Sequence, residues 1–212
     1  MKFKNISKSE FFWLILSVVT MGFCLSFLDR TALGTDPCTM FNLGMARLLG
    51  LSLGNWQALF NCILFIFVFL SAKEQIGWGT LANMFLVGYS FDLFSWMNKL
   101  FLPDFLFQNL AARLMITFPM LALFILAAAI YIAIQQGTAP YDAMPFIIQK
   151  KLKKFSFKIV RMGWDISVFI IGFLLGSRAG IVTIIMAFAF GPAIAYTQQN
   201  IVSKLIPKKT VA

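Results

Sequence analysis

Two copies of one pattern lie end to end in this chain, and each copy holds an odd number of apolar runs long enough to cross a membrane. Gly34-Thr35-Asp36-Pro37 returns as Gly137-Thr138-Ala139-Pro140, and Leu51-Ser52-Leu53 returns as Phe155-Ser156-Phe157 after a one-residue slip. Gly77 with Thr80 returns as Gly180 with Thr183, and Gly88 returns as Gly191. A duplicated unit with an odd number of spans must insert in opposite orientations. The result is an inverted repeat with a pseudo-two-fold axis in the membrane plane, the build of many secondary transporters. The pattern names a class of architecture and no substrate.

With 60% hydrophobic and 12% charged residues in 212, and a mean hydropathy of +0.84, the chain is too apolar for a soluble domain and too long for one anchor. An all-α polytopic membrane protein is expected. The formal charge of +10 does not point to nucleic acid, because the lysines and arginines fall between apolar runs, where they orient a membrane protein. Cys24, Cys38 and Cys62 are unevenly spaced with no CxxC, so neither a disulfide framework nor a zinc site is indicated. The chain has no histidine, which removes HExxH zinc chemistry and Ser-His or Cys-His catalysis. With no paired acidic motif or metal-ligand spacing either, no enzyme, metal or cofactor is expected. The apolar run from Phe11 is too long for a signal-peptide core and no cleavage motif follows it, so it is expected to remain as a first span.

A spanning helix needs about 20 apolar residues. The runs that qualify are 11 to 33, 56 to 73, 78 to 98, 112 to 135, 162 to 178 and 180 to 199, which predicts six spans. They divide into a first three-span repeat over 1 to 105 and a second over 106 to 212, one membrane domain in all. If the ends alternate sides, Lys2, Lys4, Lys8, Lys73, the basic run from Lys150 to Arg161, Lys204, Lys208 and Lys209 share one side. Arg30, Arg47, Lys99, Arg113 and Arg178 share the other. The bias puts both termini in the cytoplasm, and the tryptophans agree with it, Trp13, Trp78 and Trp164 at inner ends, Trp56 and Trp96 at outer ends.

Between the first two spans, and between the fourth and fifth, lie segments too short to cross, 37 to 50 and 140 to 154. In Gly-Thr-Asp-Pro the glycine permits a sharp change of direction, Thr or Asp can cap a helix and proline suits its first turn. A helix is therefore expected from Pro37, with Met40, Phe41, Met45, Leu48 and Leu49 at helical spacing and Gly50 as its stop. Pro140 starts the second, followed by Met144, Ile147 and Ile148. Each segment reads either as a half-helix dipping into the protein with its positive N-terminal dipole toward a ligand, or as an interfacial helix on the membrane surface.

On the first reading Thr35, Asp36, Thr138 and Asp142 are the side chains nearest a bound solute, with Asn61 of the second span lining the path. Asp29, Asp92 and Asp165 fall within or beside apolar runs, where an ionised group ordinarily faces a polar interior, a partner or water. Asp29 with Arg30, and Asp165 with Arg161 four residues earlier, read as local ion pairs. Asp92 has no local partner and is the better candidate for a coupling site, with Asp165 second. Gly172 and Gly176 form a GxxxG that suits close helix contact.

GTDP, the later GTAPYD, Ile159-Val160-Arg161, and Gly180-Ile181-Val182-Thr183 with Gly191-Pro192 together resemble the YczE/YitT-type family of bacterial integral membrane proteins, along almost the whole chain. The resemblance implies a multi-span protein of the bacterial plasma membrane, and roles in transport or in support of secondary-metabolite production. The family pattern places an aromatic residue and an acid after the first proline. Here Cys38 and Thr39 stand there, and the acid survives as Asp142 in the second copy.

Two functions fit. One is a small secondary transporter or facilitator for a small polar or anionic solute, working by alternating access between the halves. The other is a non-transporting scaffold or assembly factor that holds an enzyme or secondary-metabolite system through the basic loop at 150 to 161. The expected partners are the lipid bilayer, a small solute and, compatibly with six short spans, a second copy of the chain.

Overall fold

The computed structural model describes Phe3 and residues 6–205. Lys2, Lys4, Lys208 and Lys209, which contribute to the predicted charge bias, lie outside the described residues. Among the described residues the ordered backbone is helical, with no strand. The helices are α1 Lys8–Thr31, α2 Pro37–Leu49, α3 Leu53–Ser71, α4 Trp78–Phe101, α5 Leu110–Ala133, α6 Pro140–Lys151, α7 Phe157–Leu174 and α8 Ile181–Thr197. Short 3₁₀ turns at Lys73–Gln75 and Asp104–Phe107 join α3 to α4 and α4 to α5, and α8 runs on through a π-type turn to Leu205.

Capping residues set these boundaries. Ser7 and Glu10 close a capping box on α1, and the side chains of Asp36, Ser52 and Asn109 accept from the first free N–H groups of α2, α3 and α5. Proline occupies the first turn of α2 and of α6, and Gly50 ends α2 in the left-handed region at φ 64°.

Among the described residues four helices are long and apolar enough to cross a membrane: Lys8–Thr31, Leu53–Ser71, Leu110–Ala133 and Ile181–Leu205. The third and fifth expected spans form as helices α4 and α7 but do not meet that standard. Asn83, Ser90, Asp92, Asn98 and Lys99 interrupt the first, and Lys158, Arg161 and Asp165 crowd the first half of the second.

α1 runs through the middle of the molecule, packed along α4 and α5, with Leu14, Val18, Cys24 and Leu28 fully buried in the main core. α2 lies along α7, where Met40 and Phe41 backbone sits against Gly172, and α6 lies along α3, where Ala143 and Ile147 join Val68, Ala72 and Ile76. Gly172 therefore marks a close helix contact; Gly176, its expected partner in that role, falls beyond the end of α7 with nothing against it.

The duplicated turns make one contact twice, with the copies exchanged. Ala32 and Gln135 both take left-handed φ, 52° and 55°, and Gly34 and Gly137 follow at 105° and 97°. The Leu33 carbonyl accepts from Val182 N–H at 3.1 Å, and the Gln136 carbonyl accepts from Gly79 N–H at 2.7 Å. A methyl added to Gly34 would lie 2.3 Å from Thr183 Oγ1, and one added to Gly137 would lie 2.5 Å from Thr80 Oγ1. Each copy's turn thus rests on the start of the other copy's last helix, on a threonine of zero exposure.

The charges at the end of α1 pair differently from the local reading. Asp29 reaches Arg47 on α2 at 3.5 Å, while Arg30 donates to Asp104 at 2.8 Å and to the Leu102 carbonyl at 2.9 Å. Adjacent helical residues point in different directions, so Asp29 and Arg30 cannot face one another and each finds a partner on another element. Trp56 is likewise buried rather than interfacial and donates Nε1–H to Asn42 at 3.0 Å.

Candidate functional site

Helices α2 and α6 begin inside the helix assembly, and their first turns come together beside α7. At the start of α2, Asp36 Oδ1 accepts Thr39 N–H at 3.0 Å, while Oδ2 is sealed from solvent with no hydrogen-bond partner among the described residues. In the first turn of α6, where the helix dipole favours an acid, Asp142 accepts from Arg161 Nη1 at 2.8 Å. The same guanidinium gives Nε–H to Asp165 Oδ2 at 2.9 Å, the i,i+4 pair expected from the sequence. Tyr141, buried, donates its hydroxyl to the other oxygen of Asp165 at 2.8 Å, and Arg161 lies 5.5 Å from the centre of its ring.

A second polar chain meets this network from α2 and α3. Asn42 donates to Cys38 Sγ at 3.4 Å and accepts from Trp56. Phe41, Phe60, Leu64, Val168 and Met144 form the apolar wall around Cys38 and Tyr141. Trp164 packs on Tyr141 at 5.6 Å, and its indole N–H has no partner among the described residues. Asp142 and Asp165 lie within electrostatic reach of Asp36. Asp142 and Asp165 share one guanidinium, and Asp36 adds a third carboxylate beside them. That excess of negative charge suits a cation or a proton better than the anion that two helix N-termini would attract on their own.

Asp36, Asp142 and Asp165 come together, while Thr138 and Asp92 bond elsewhere. Thr35 is buried and lines a small cleft of about 10 Å³, room for about one water, with Asp29, Arg47, Ser177 and Arg178. Thr138 bonds through its N–H to the Gln75 carbonyl at 2.9 Å and through its hydroxyl to Gln75 Oε1 at 3.4 Å. Asn61 is buried on α3. Asp92 has a partner far along the chain, accepting Gly54 N–H at 2.9 Å and so capping α3 from α4. The sequence reading gives Cys38, Tyr141 and Trp164 no site role, although Tyr141-Asp142 after Pro140 carries the aromatic-acid signal.

Three relatives of known sequence extend the picture. The chain is 27% identical over 192 residues to an uncharacterized protein of Haemophilus influenzae, covering 91% of this chain and 84% of that protein. It is 22% identical over 191 residues to the uncharacterized membrane protein YczE of Bacillus subtilis, covering 90% and 85%. It is 27% identical over 141 residues to the uncharacterized protein YyaS of the same organism, covering 66% and 68%. No solved structure matches. The family of unknown function DUF6198 matches residues 8–199, so this multi-pass membrane protein belongs to that YczE-type family.

Proposed function

We propose that the protein is a small secondary transporter whose site lies where the first turns of α2 and α6 meet α7. The observation that carries this reading is the Asp36 carboxylate, one oxygen capping α2 and the other sealed without a partner, beside the Arg161, Asp142 and Asp165 network. In a bilayer, ionisable groups of this kind are costly unless they serve a path or bind one another. The exchanged contacts at Gly34 and Gly137 support two halves related by a pseudo-two-fold axis, hence an inverted repeat that alternates access by rocking. At 13 and 12 residues α2 and α6 are too short to cross, and their inward faces support half-helices over interfacial ones.

Six spans follow if α4 and α7 also cross. Three of the polar groups that lower their hydropathy bond to other helices, Asp92 to α3, Asn98 to Ser26 of α1, and Arg161 to α6, which spares those three contact with lipid. Both termini then face the cytoplasm of a bacterial plasma membrane. The carboxylate excess makes the solute or its coupling ion cationic.

Asp36→Asn keeps the cap oxygen and removes the charge. In proteoliposomes loaded for uptake of candidate amines and amino acids, with and without a proton gradient, the variant is expected to lose uptake at least tenfold while keeping its melting temperature. Unchanged uptake would sink this site.

A second reading rests on the exposed Lys150, Lys151, Lys153 and Lys154, with Leu152 and Phe155 also exposed beside them, a surface suited to anionic lipid or a cytoplasmic partner. Charge reversal of these four lysines is expected to leave uptake within about twofold. Loss of uptake with intact Asp36 would favour the scaffold or lipid-dependent reading.

A further inference from the structure

A cleft of about 400 Å³ opens between the end of α1, the last half of α4 and the start of α3. That volume lies within the ordinary range for small-molecule sites, about 300 to 1,000 Å³. Its walls include Asp29 and Arg30 from α1 and Phe91, Asp92, Ser95, Trp96 and Lys99 from α4. The charges are of both signs and are not equally committed. Arg30 is held by the Leu102 carbonyl and Asp104. Lys99 is exposed, makes no hydrogen bond among the described residues and acts on Asp29 only through its charge. Asp92 spends one oxygen on Gly54 N–H, and the other accepts no hydrogen bond among the described residues. Asp29 meets Arg47 only at 3.5 Å, beyond a normal hydrogen bond. Phe91 and Trp96 supply an apolar wall next to these groups.

We propose that this cleft binds a compact zwitterion, its ammonium against Asp92 and Asp29 and its oxyanion against Lys99, with an apolar side chain on Phe91 and Trp96. Two carboxylates and one available ammonium complement such a ligand better than they complement an amine or an acid alone. Asp29 also lines the small cleft that ends at Thr35, next to Asp36. The cleft is thus an outer recognition site for the solute that the central carboxylates receive, an extension that rests on the transporter reading; binding itself does not. Free amino acids and the ethanolamine headgroup of a phospholipid share this chemistry.

The test is melting temperature and isothermal titration of the full chain in detergent. The probes are L-leucine, its halves 3-methylbutylamine and 4-methylpentanoate, and glycerophosphoethanolamine. Leucine or glycerophosphoethanolamine is expected to bind and raise the melting temperature, the better of the two identifying the source, and both halves are expected to fail. Lys99→Met and Asp92→Asn should each weaken that binding about tenfold, the scale of one lost charge-assisted bond. Because Asp92 also caps α3, Ser95→Phe, which fills the cleft and removes no charge, is the second variant and should likewise abolish binding. No zwitterion binding, equal binding of either half, or indifference to Lys99→Met and Ser95→Phe would overturn the proposal. Zwitterion binding without uptake by the wild type would defeat transport and leave the cleft standing. Uptake indifferent to Lys99→Met would leave transport standing and overturn the cleft's part in it.

Discussion

Alanine at Gly34 or Gly137 is expected to destabilise the protein by about 3 kcal/mol or more, the combined scale of a left-handed non-glycine residue and an overpacked contact. Both glycines sit near φ 100°, and in both the new methyl would meet a helix start rather than a yielding side-chain tip. At Gly34 it approaches Thr183 Oγ1 at 2.3 Å and Gly180 N at 2.9 Å, and at Gly137 it approaches Thr80 Oγ1 at 2.5 Å and Gly77 N at 2.6 Å. Neither backbone nitrogen can move without disturbing the first turn of α8 or α4. Gly50 is the control, because it is left-handed at φ 64° with nothing within 4 Å. Its alanine variant should lose only about 1 kcal/mol, the backbone penalty alone. Thermal unfolding of the three variants in one detergent separates strain from packing. Equal losses at all three positions would mean that the two turns are not seated on the opposite copy.

Arg161→Met should cost about 2 kcal/mol, between the scales of an exposed and a buried ion pair, because the three side chains keep some exposure. Removing the guanidinium leaves Asp142 and Asp165 facing one another without a cation, and the second carboxylate then holds only Tyr141. Adding Asp142→Asn and Asp165→Asn to the methionine variant should recover more than half of the loss, since neutral amides tolerate the apolar surroundings far better. Arg161→Lys should fall between, because one ammonium on a flexible stem cannot reproduce two separately aimed N–H donors. A loss below about 1 kcal/mol for Arg161→Met would place the network in water, where such pairs contribute little.

Local features were legible in the sequence, and distant ones were not. Pro37, Pro140 and Gly50 mark helix ends because each acts through its own backbone, and the structure puts α2 and α6 where those residues require. Arg161 and Asp165 were readable because four residues is one helical turn. Tyr141 with Asp165, Arg161 with Asp142, and Asp92 with Gly54 each join different helices, and no periodicity within one helix can announce them. The same limit explains Asp29 and Arg30, read as a pair from adjacency and found with Arg47 and Asp104. Repetition gave one long-range hint. Six of the residues that recur between the copies, Gly34, Gly77, Thr80, Gly137, Gly180 and Thr183, meet across the molecule.

The two meetings are alike in their contacts and differ in when they can form. When the ribosome delivers Gly137, its seat on Gly77 and Thr80 has already been made. Gly34 must wait for Gly180 and Thr183, about 150 residues later, on the order of ten seconds or more at ordinary rates of synthesis. During that interval the first turn and α2 have no α7 or α8 to rest on. The early half of the nascent chain is therefore the one that needs shelter in the membrane until its twin arrives.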